Sequence, residues 1–457
     1  MGSVRFTDSS LPLSTPYRCN LPVAVRYYIS FPLPSRAGKR SQMEHIIMRH
    51  IITILLILYC LFAAPIYAQT IQVGPVNVSR EIIELKAQIA LLADRLAQIE
   101  QSAAERLDVE AEQVAIAPPE PSWTEKLRLS GDVRYRHESI NDNFKDFRNR
   151  HRIRARTNLT ADLSESTTMG LGFSSGGISN DSGNQTFDDG FYRKPLGIDL
   201  AYFDWGLTDS FNLVGGKMFN PFFRPGGHHL IYDSDLRPEG LALRYSSGRF
   251  FANSSAFWAE ERSSDVDSML LGLQAGYRGA VGDGIDLTAG ASYYETTNTK
   301  GFSPLFPTIG QGSQGNQVDA DGNYLYGFEE IELFAELRFE LGGEPVRVFA
   351  DYVTNTAADA YEDGYAFGGT YRQLSNPGDW TMGYVYQDLG ANSVVGAYTD
   401  SDFGGGTSDS SGHTVSAGYR FVGGWSFNVR YVIGDRGKAA GQLRDYNRLM
   451  ADLYFQY

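Results

Sequence analysis

The sequence predicts an all-β fold, a transmembrane antiparallel up-and-down β-barrel of about 16 strands preceded by a short periplasmic coiled-coil helix. Three observations predict it. Short segments from Lys126 to Tyr457 alternate apolar with polar residues, tight turns interleave with long connections, and the last segment carries an apolar file that ends on an aromatic residue. The mean hydropathy of -0.28 agrees with this prediction, because only alternate residues of a barrel strand face lipid.

The composition fits strands, turns and aromatic belts. The 457 residues include 49 Gly, 27 Tyr and 27 Phe but only 2 Cys. The first 68 residues contain 7 basic and 2 acidic residues, so the rest of the chain keeps 33 Lys and Arg, 52 Asp and Glu, and a formal charge of -19. So acidic a chain repels the phosphates of nucleic acids, which excludes DNA and RNA as partners.

The longest apolar run reads IITILLILYCLFAA over residues 51–64 and follows Arg49. It is too short for a comfortable membrane span, and small residues follow it. We therefore predict a signal peptide over residues 43–68, with cleavage between Ala68 and Gln69. An uncleaved anchor helix is the alternative.

Residues 1–42 carry no targeting pattern and would place this signal inside the chain. We interpret them as an upstream extension ahead of a true start at Met43 or Met48. Both cysteines, Cys19 and Cys60, precede the cleavage point, so the exported chain is expected to have neither a disulfide nor thiol chemistry.

A heptad pattern follows a short N-terminal segment (residues 69–78) and predicts a coiled-coil helix over residues 79–113, capped by Ser79. Its apolar seam consists of Ile82, Leu85, Ile89, Leu92, Leu96 and Ile99. Three heptads are marginal alone, which favours self-association in the periplasm. The alternative is an amphipathic helix packed on its own barrel. A proline-rich linker spans residues 114–125, and the barrel is predicted over residues 126–457.

The polar faces of the strands decide between a membrane barrel and a soluble β-sandwich, which would also alternate. One strand places apolar residues such as Ile153 and Leu159 on one side and a row of arginines on the other. Such a row is not tolerated in the dry core of a sandwich but is natural in a wet lumen.

The connections also alternate in length. Tight ones lie near residues 164–166, 208–210, 282–284 and 422–424, and long ones span residues 176–195, 220–239, 296–327 and 434–447. Short periplasmic turns and long external loops are typical of membrane barrels.

The last strand ends on Leu453, Phe455 and Tyr457, which share one face. This apolar file resembles the C-terminal strand by which outer-membrane barrels are recognised, and it implies the barrel-assembly machinery as a partner. An edge strand of a globular protein could show the same file.

Three blocks of sequence resemble the bacterial "putative porin" family of outer-membrane proteins. They are GKMFNPFFRPGGHHLIYDSDLRPEGLAL (216–243), RNRHRIRARTNLTADL (148–163) and TDSDFGGGTSDSSGH (399–413). With the alternating pattern, the resemblance covers roughly residues 123–457. It implies a passive channel for small hydrophilic solutes in the outer membrane of a Gram-negative bacterium, in contact with lipid and lipopolysaccharide and assembled as a homo-trimer.

Charged residues on the polar strand faces are the candidate pore lining, because rings of charge at a constriction set ion preference. The basic candidates are Arg128, Arg134, Arg136, Arg152, Arg154 and Arg156, and the acidic candidates that would balance them are Glu330, Glu332 and Glu336. The alternative is an ordinary solvated lumen face balanced by Asp132 and Asp162.

One long connection is the candidate gating loop, since long loops are uncommon unless they are functional. It contains Arg224, His228, His229, Asp233 and Asp235. The two histidines lack a third spaced ligand, and paired aspartates such as Asp400 and Asp402 are usually solvated turns. We predict no metal and no cofactor.

We do not expect an enzyme. His413 lies near several serines, but nothing resembles a nucleophile elbow or a spaced catalytic triad. The alternative function is a structural or adhesive outer-membrane barrel that is linked to the cell envelope through the coiled coil.

Overall fold

Strands dominate the chain beyond residue 126. The computed structural model describes residues 86–87, 90–101, 123–177, 179–306 and 312–457. Within these residues one antiparallel sheet contains β1 (Leu127–Asp142), β2 (Arg148–Ser164), β3 (Thr167–Ser175), β4 (Gln185–Thr186), β5 (Leu196–Thr208), β6 (Phe211–Lys217), β7 (Glu239–Ser247), β8 (Phe250–Glu260), β9 (Ser268–Gly282), β10 (Ile285–Thr296), β11 (Phe328–Leu341), β12 (Glu344–Asn355), β13 (Asp363–Tyr371), β14 (Trp380–Leu389), β15 (Ser410–Arg420), β16 (Trp425–Arg436) and β17 (Arg444–Gln456). Short 3-10 helices cover Trp123–Lys126, Asp189–Phe191 and Pro225–Gly227.

The sheet closes on itself because β1 pairs with both β2 and β17. The two-residue strand β4 adds only to β2, so 16 strands form the closed ring within the described part of the chain. At the seam, Gly131 and Tyr457 exchange backbone hydrogen bonds, each 3.1 Å between N and O. The predicted antiparallel barrel of about 16 strands is confirmed.

The connections differ in length at the two ends of the barrel. Two-residue turns join β2 to β3, β5 to β6 and β9 to β10. The opposite end carries the long connections, which include residues 218–238 between β6 and β7 and residues 390–409 between β14 and β15. We call these two segments the first inner loop and the second inner loop, because both are largely buried inside the barrel.

Alternation sends apolar side chains outward. On β11, Ile331 and Leu333 are exposed, whereas Glu330 and Glu332, which alternate with them, are buried. In a closed barrel the buried file of a strand faces the interior and the exposed file faces the surroundings. On β5 and β8, whose direction the sequence leaves open, Leu200 and Phe257 belong to the inward file.

The two inner loops divide the interior into unlike halves. Residues 391–400 are all buried, and apolar residues of both loops pack on the inward faces of β6 to β14. Ring contacts join Phe222 to Tyr294 and Tyr232 to Tyr294, with centroids 4.9 and 5.1 Å apart. We call this the apolar half. The charged half consists of the inward faces of β1, β2, β16 and β17 with the acidic residues of the loops.

The N-terminal unit is separate from the barrel unit, which begins at residue 116. Helix covers residues 86–87 and 90–101, and Leu92, Leu96 and Ile99 of the predicted seam are exposed on it. No helix among the described residues is long and apolar enough to cross a membrane. The signal peptide with its cleavage point, the seam residues Ile82, Leu85 and Ile89 and most of the linker lie outside the described residues.

Candidate functional site

Two rows of arginine face each other across the ladder between β1 and β2. The register pairs Arg134 with Arg154 and Arg136 with Arg152. Like charges directly opposite each other destabilise a sheet, so these rows require acidic partners. Arg128 lies apart, near the start of β1, where it pairs with Asp162 among exposed residues.

Asp132 and Asp235 bind two arginines of β2, Arg154 and Arg156. Arg154 donates to Asp132 at 3.0 Å and to Asp235 at 3.0 Å, and Arg156 donates to the same carboxylates at 2.7 and 2.9 Å. Asp132 belongs to β1, whereas Asp235 belongs to the first inner loop. The arginines of β2 therefore hold this loop against the barrel wall.

The electrostatics at Asp235 favour its ionised form. Burial alone would raise the pKa of this carboxyl group, but the positive charges of Arg154 and Arg156 outweigh burial and lower the pKa to about 2. The carboxylate therefore stays charged, and stays bound to both arginines, throughout the neutral range.

Asp402 binds the second arginine cluster. Arg136 donates to both oxygens of Asp402, at 3.0 and 2.8 Å, and to both oxygens of Asp452 on β17, at 2.6 and 2.7 Å. Arg448 lies 2.9 Å from Asp402 and 2.8 Å from Glu138. Glu138 also pairs with Arg150 and lies 3.5 Å from Arg152. This network fixes the second inner loop.

Both inner loops use the same tripeptide, Asp-Ser-Asp, at 233–235 and 400–402. In each, the first aspartate accepts a hydrogen bond from the backbone N–H of the second, at 2.7 and 2.8 Å. This Asx turn aims the second aspartate at the arginines. The tripeptides also join the loops, since Ser401 N donates to Asp233 at 2.8 Å.

The other residues of the candidate gating loop make fixed contacts. Arg224 donates to the carbonyl of Tyr232 at 3.2 Å, and His228 Nε2 lies 2.7 Å from Gln387 Oε1 on β14. The carbonyl of His229 accepts hydrogen bonds from Thr399 and Asp400, both at 3.2 Å. In this structure the loop is anchored along its length.

Glu330, Glu332 and Glu336 face inward but lie against the apolar half. Glu330 accepts a hydrogen bond from Val395 N at 3.2 Å, and Glu336 accepts one from Gly226 N at 2.6 Å. Glu332 is bound by Ser292 and Tyr294. Glu330 and Glu336 thus hold the backbone of the inner loops, Glu332 binds side chains of β10, and the arginine rows are balanced by other acids.

His229, Asp233 and Asp400 place their ligand atoms within 4.8 Å of one another. Both oxygens of Asp233 already accept backbone N–H groups, and Arg430 lies 3.6 Å from Asp400. The nearby positive charge disfavours a cation, so we assign none.

A cavity of about 600 Å³ lies between the two charged clusters. It is lined by residues of β1, β2 and β14 to β17 and by the acidic parts of both inner loops. Arg134, Arg136, Arg154 and Arg156 of the predicted pore lining border it, as do His229, Asp233 and Asp235 of the candidate gating loop. The structure thus brings part of both predicted sets together.

Sequence reasoning missed several members of the charged half. These are Glu138, Arg430, Arg448 and Asp452. The signal for Glu138 was present, because it continues the file of Arg134 and Arg136 at a spacing of two. No pattern could have shown that Asp402 of a distant loop completes the cluster.

The C-terminal residues Leu453, Phe455 and Tyr457 lie on or next to β17. Leu453 and Tyr457 are exposed, and the ring of Phe455 lies 4.9 Å from that of Trp425. The Tyr457 hydroxyl is 2.7 Å from that of Thr157 on β2. The end of the chain thus reaches across β1 to the second strand.

Comparison with known proteins agrees with this architecture. The model of the family described as "Putative porin" matches residues 140–322. The resemblance to the putative porin family is thereby confirmed. The matched part of this porin-like barrel runs from the end of β1 through the first inner loop to the connection before β11. No protein in the curated collection matches the chain.

Solved structures of bacterial porins align with this chain. OprB of Pseudomonas putida aligns with a TM-score of 0.52 at 12% identity, over 73% of this chain and 95% of that one. OmpF of Salmonella typhi, in complex with daunomycin, aligns with a TM-score of 0.46 at 13% identity, over 72% and 97%. A Rhodopseudomonas blastica porin mutant aligns with a TM-score of 0.43 at 12% identity, over 72% of this chain and 100% of that one. At these identities the likeness to OprB shows the fold alone.

Proposed function

We propose that this protein is an outer-membrane diffusion channel for small hydrophilic solutes or ions, which cross through the charged half of the lumen. The single observation that carries the proposal is the cavity of about 600 Å³ between the arginine clusters. Its lining is polar and charged, so water and dissolved ions are its natural contents. In the apolar half, side chains of both inner loops pack against the strands.

The inner loops set the width of this path. Asp235 and Asp402 tie the two loops to β1, β2 and β17, and Glu336 ties the first loop to β11. The first inner loop acts as a gate only when these ties break. At neutral pH it forms a fixed constriction, with arginines on the wall and aspartates on the loops.

Several features support a place in the outer membrane. Exposed apolar files on the strands suit lipid contact and contact with lipopolysaccharide, and the file at Leu453, Phe455 and Tyr457 suits recognition by the barrel-assembly machinery. A signal peptide over residues 43–68 would export the chain. The exposed seam at Leu92, Leu96 and Ile99 suits a periplasmic coiled coil that joins three barrels.

The test is conductance of the refolded chain 69–457 in planar bilayers. We expect steady conductance and a reversal potential that moves toward cations when Arg152, Arg154 and Arg156 are all replaced by Ala, because the wall loses three positive charges. The matched control replaces three exposed loop lysines, Lys145, Lys300 and Lys438, with Ala. A shift of equal size in the control would contradict a selective role for the arginine row.

The exposed apolar seam of the N-terminal helix favours one alternative, a structural or adhesive barrel anchored through the coiled coil. Correctly folded protein that conducts no ions would contradict the channel and favour this alternative. Folding is checked independently by β-sheet circular dichroism and by resistance to protease.

A further inference from the structure

The arginines that border the cavity are not equally neutralised. Six of them line it among the described residues, namely Arg134, Arg136, Arg154, Arg156, Arg237 and Arg430. Four donate to a carboxylate oxygen at 3.3 Å or less. Arg134 and Arg430 differ, because their nearest carboxylate oxygens lie 4.0 and 3.6 Å away. These distances are too long for a good hydrogen bond.

Arg134 is a buried cation whose donors are only partly used. Its side chain is 12% exposed, and its Nη2 donates to Asn184 Oδ1 at 2.6 Å. Its Nε is buried and has no hydrogen-bond partner among the described residues. The carboxylate of Asp452, 4.0 Å from Nη1, is already bound through both oxygens by Arg136. A buried charge without a paired partner is costly, so this group is poised for an external anion.

Arg430 is the more accessible of the two. Its side chain is 40% exposed, and it lies 3.6 Å from Asp400 and 3.9 Å from Asp402. Asp402 is engaged by Arg136 and Arg448, and Asp400 accepts a backbone hydrogen bond from Asp402. Since both neighbouring carboxylates have other partners, much of the guanidinium remains available to a ligand.

The rest of the lining suits an organic anion. Arg134 on β1 and Arg430 on β16 stand on either side of β17, where they lie opposite Tyr454 and Met450. Asn158, Asn428 and Ser416 add neutral hydrogen-bonding groups, and the ring of Phe219 adds apolar surface. A cavity of about 600 Å³ is far larger than a bare inorganic ion and matches the lower range of small-molecule sites.

We propose that this cavity is a binding site for small carboxylate-bearing solutes. In it, Arg134 and Arg430 bind the carboxylate oxygens, and the ring of Phe219 contacts the carbon skeleton of the solute. The inference rests on the proposed channel function and gives it a substrate class. A planar guanidinium matches a carboxylate in a two-pronged hydrogen bond, and Arg134 and Arg430 are the two arginines of this wall that lie farthest from a carboxylate oxygen.

The test is equilibrium binding of succinate to the folded chain 69–457 in detergent, measured by isothermal titration calorimetry at constant ionic strength. We expect Arg134→Gln to weaken binding about 10- to 100-fold, since a hydrogen-bonded charge is lost. Arg134→Lys keeps the charge without the planar fork and should weaken binding less. Arg430→Gln should have a smaller effect than Arg134→Gln, because Arg430 is more exposed to water.

The matched control is Arg244→Gln. Arg244 is also an inward-facing arginine and pairs with Asp204, but it borders a different cavity. The Arg244→Gln variant should bind succinate as tightly as the unmodified protein does. An equal loss in this variant would overturn the proposal, because bulk lumen charge would then explain the binding.

Two further outcomes would also overturn it. One is the absence of succinate binding to correctly folded protein, and the other is binding of phosphate or sulfate as tight as that of succinate. Because calorimetry does not depend on conduction, the two proposals fail separately. Binding without conductance would contradict the proposed channel and support the binding site. Conductance without binding would contradict the binding site and support the channel.

Discussion

The apolar half and the charged half of the interior are built by the same two loops. In the first inner loop Leu230, Ile231 and Tyr232 enter the apolar core, and the next residues are the acidic tripeptide 233–235. In the second, Val394 to Tyr398 enter the core before the tripeptide 400–402. Where the loops are apolar, their side chains pack against the barrel wall, and where they are acidic a cavity of about 600 Å³ remains. Loop sequence, more than strand number, therefore determines where the open path lies.

The largest expected effect comes from placing the same negative charge in each half of the interior. Val353 on β12 has no exposed surface, so Val353→Asp should destabilise the barrel by about 3 kcal/mol or more, because an unpaired carboxylate would be buried in the apolar half. Ser416 borders the cavity, and Ser416→Asp should cost much less. Urea unfolding followed by tryptophan fluorescence measures both. Equal losses would mean that the charged half is as dry as the other.

A second test loosens only the charged half. Asp402→Asn removes the carboxylate that Arg136 and Arg448 share, though each keeps one acidic partner in Asp452 and Glu138. We expect a loss of about 1–3 kcal/mol in stability and a noisier, larger conductance, as the second inner loop detaches. Asp321→Asn, on an exposed turn, is the control. An unchanged conductance trace would show that the loop does not limit the path.

The smallest expected effect is the change in conductance when the pH is lowered. The pKa of Asp235 is about 2, below the ordinary value of about 3.9. The stability that this carboxylate contributes is therefore fully present above about pH 4 and is lost as the pH falls toward 2. Conductance recorded between pH 7 and pH 2.5 should change little until the lowest values, and Asp235→Asn should show its altered conductance already at pH 7. A transition in the unmodified protein near pH 5 would contradict the assignment to Asp235.

The sequence predicted the strands well because alternation is a local property. The row of Arg152, Arg154 and Arg156, the inward file of Glu330 and Glu332, and the apolar end of β17 all follow from a period of two. The closed ring and its strand number follow from the number of such segments. These features require no knowledge of which parts of the chain meet.

The partners of those side chains could not be predicted. Glu332 and Arg154 both read as inward-facing charges, yet one lies under a dry loop and the other beside a cavity. The difference depends on how residues 218–238 and 390–409 fold back into the lumen, which local patterns do not encode. The pattern of long connections in the sequence does not include the second inner loop, and only the acidic pair Asp400 and Asp402 stands out within it.

The charged half lies at the seam of the barrel. Arg136 on the first strand binds Asp452 on the last, 316 positions later, and the cavity draws its wall from both sides of that joint. Before the ring closes, Arg136 lacks Asp452 of β17 and Asp402 of the second inner loop, whereas Arg154 and Arg156 already lie beside Asp132 of the neighbouring strand. Closure of the ring and completion of this charged wall are therefore a single event.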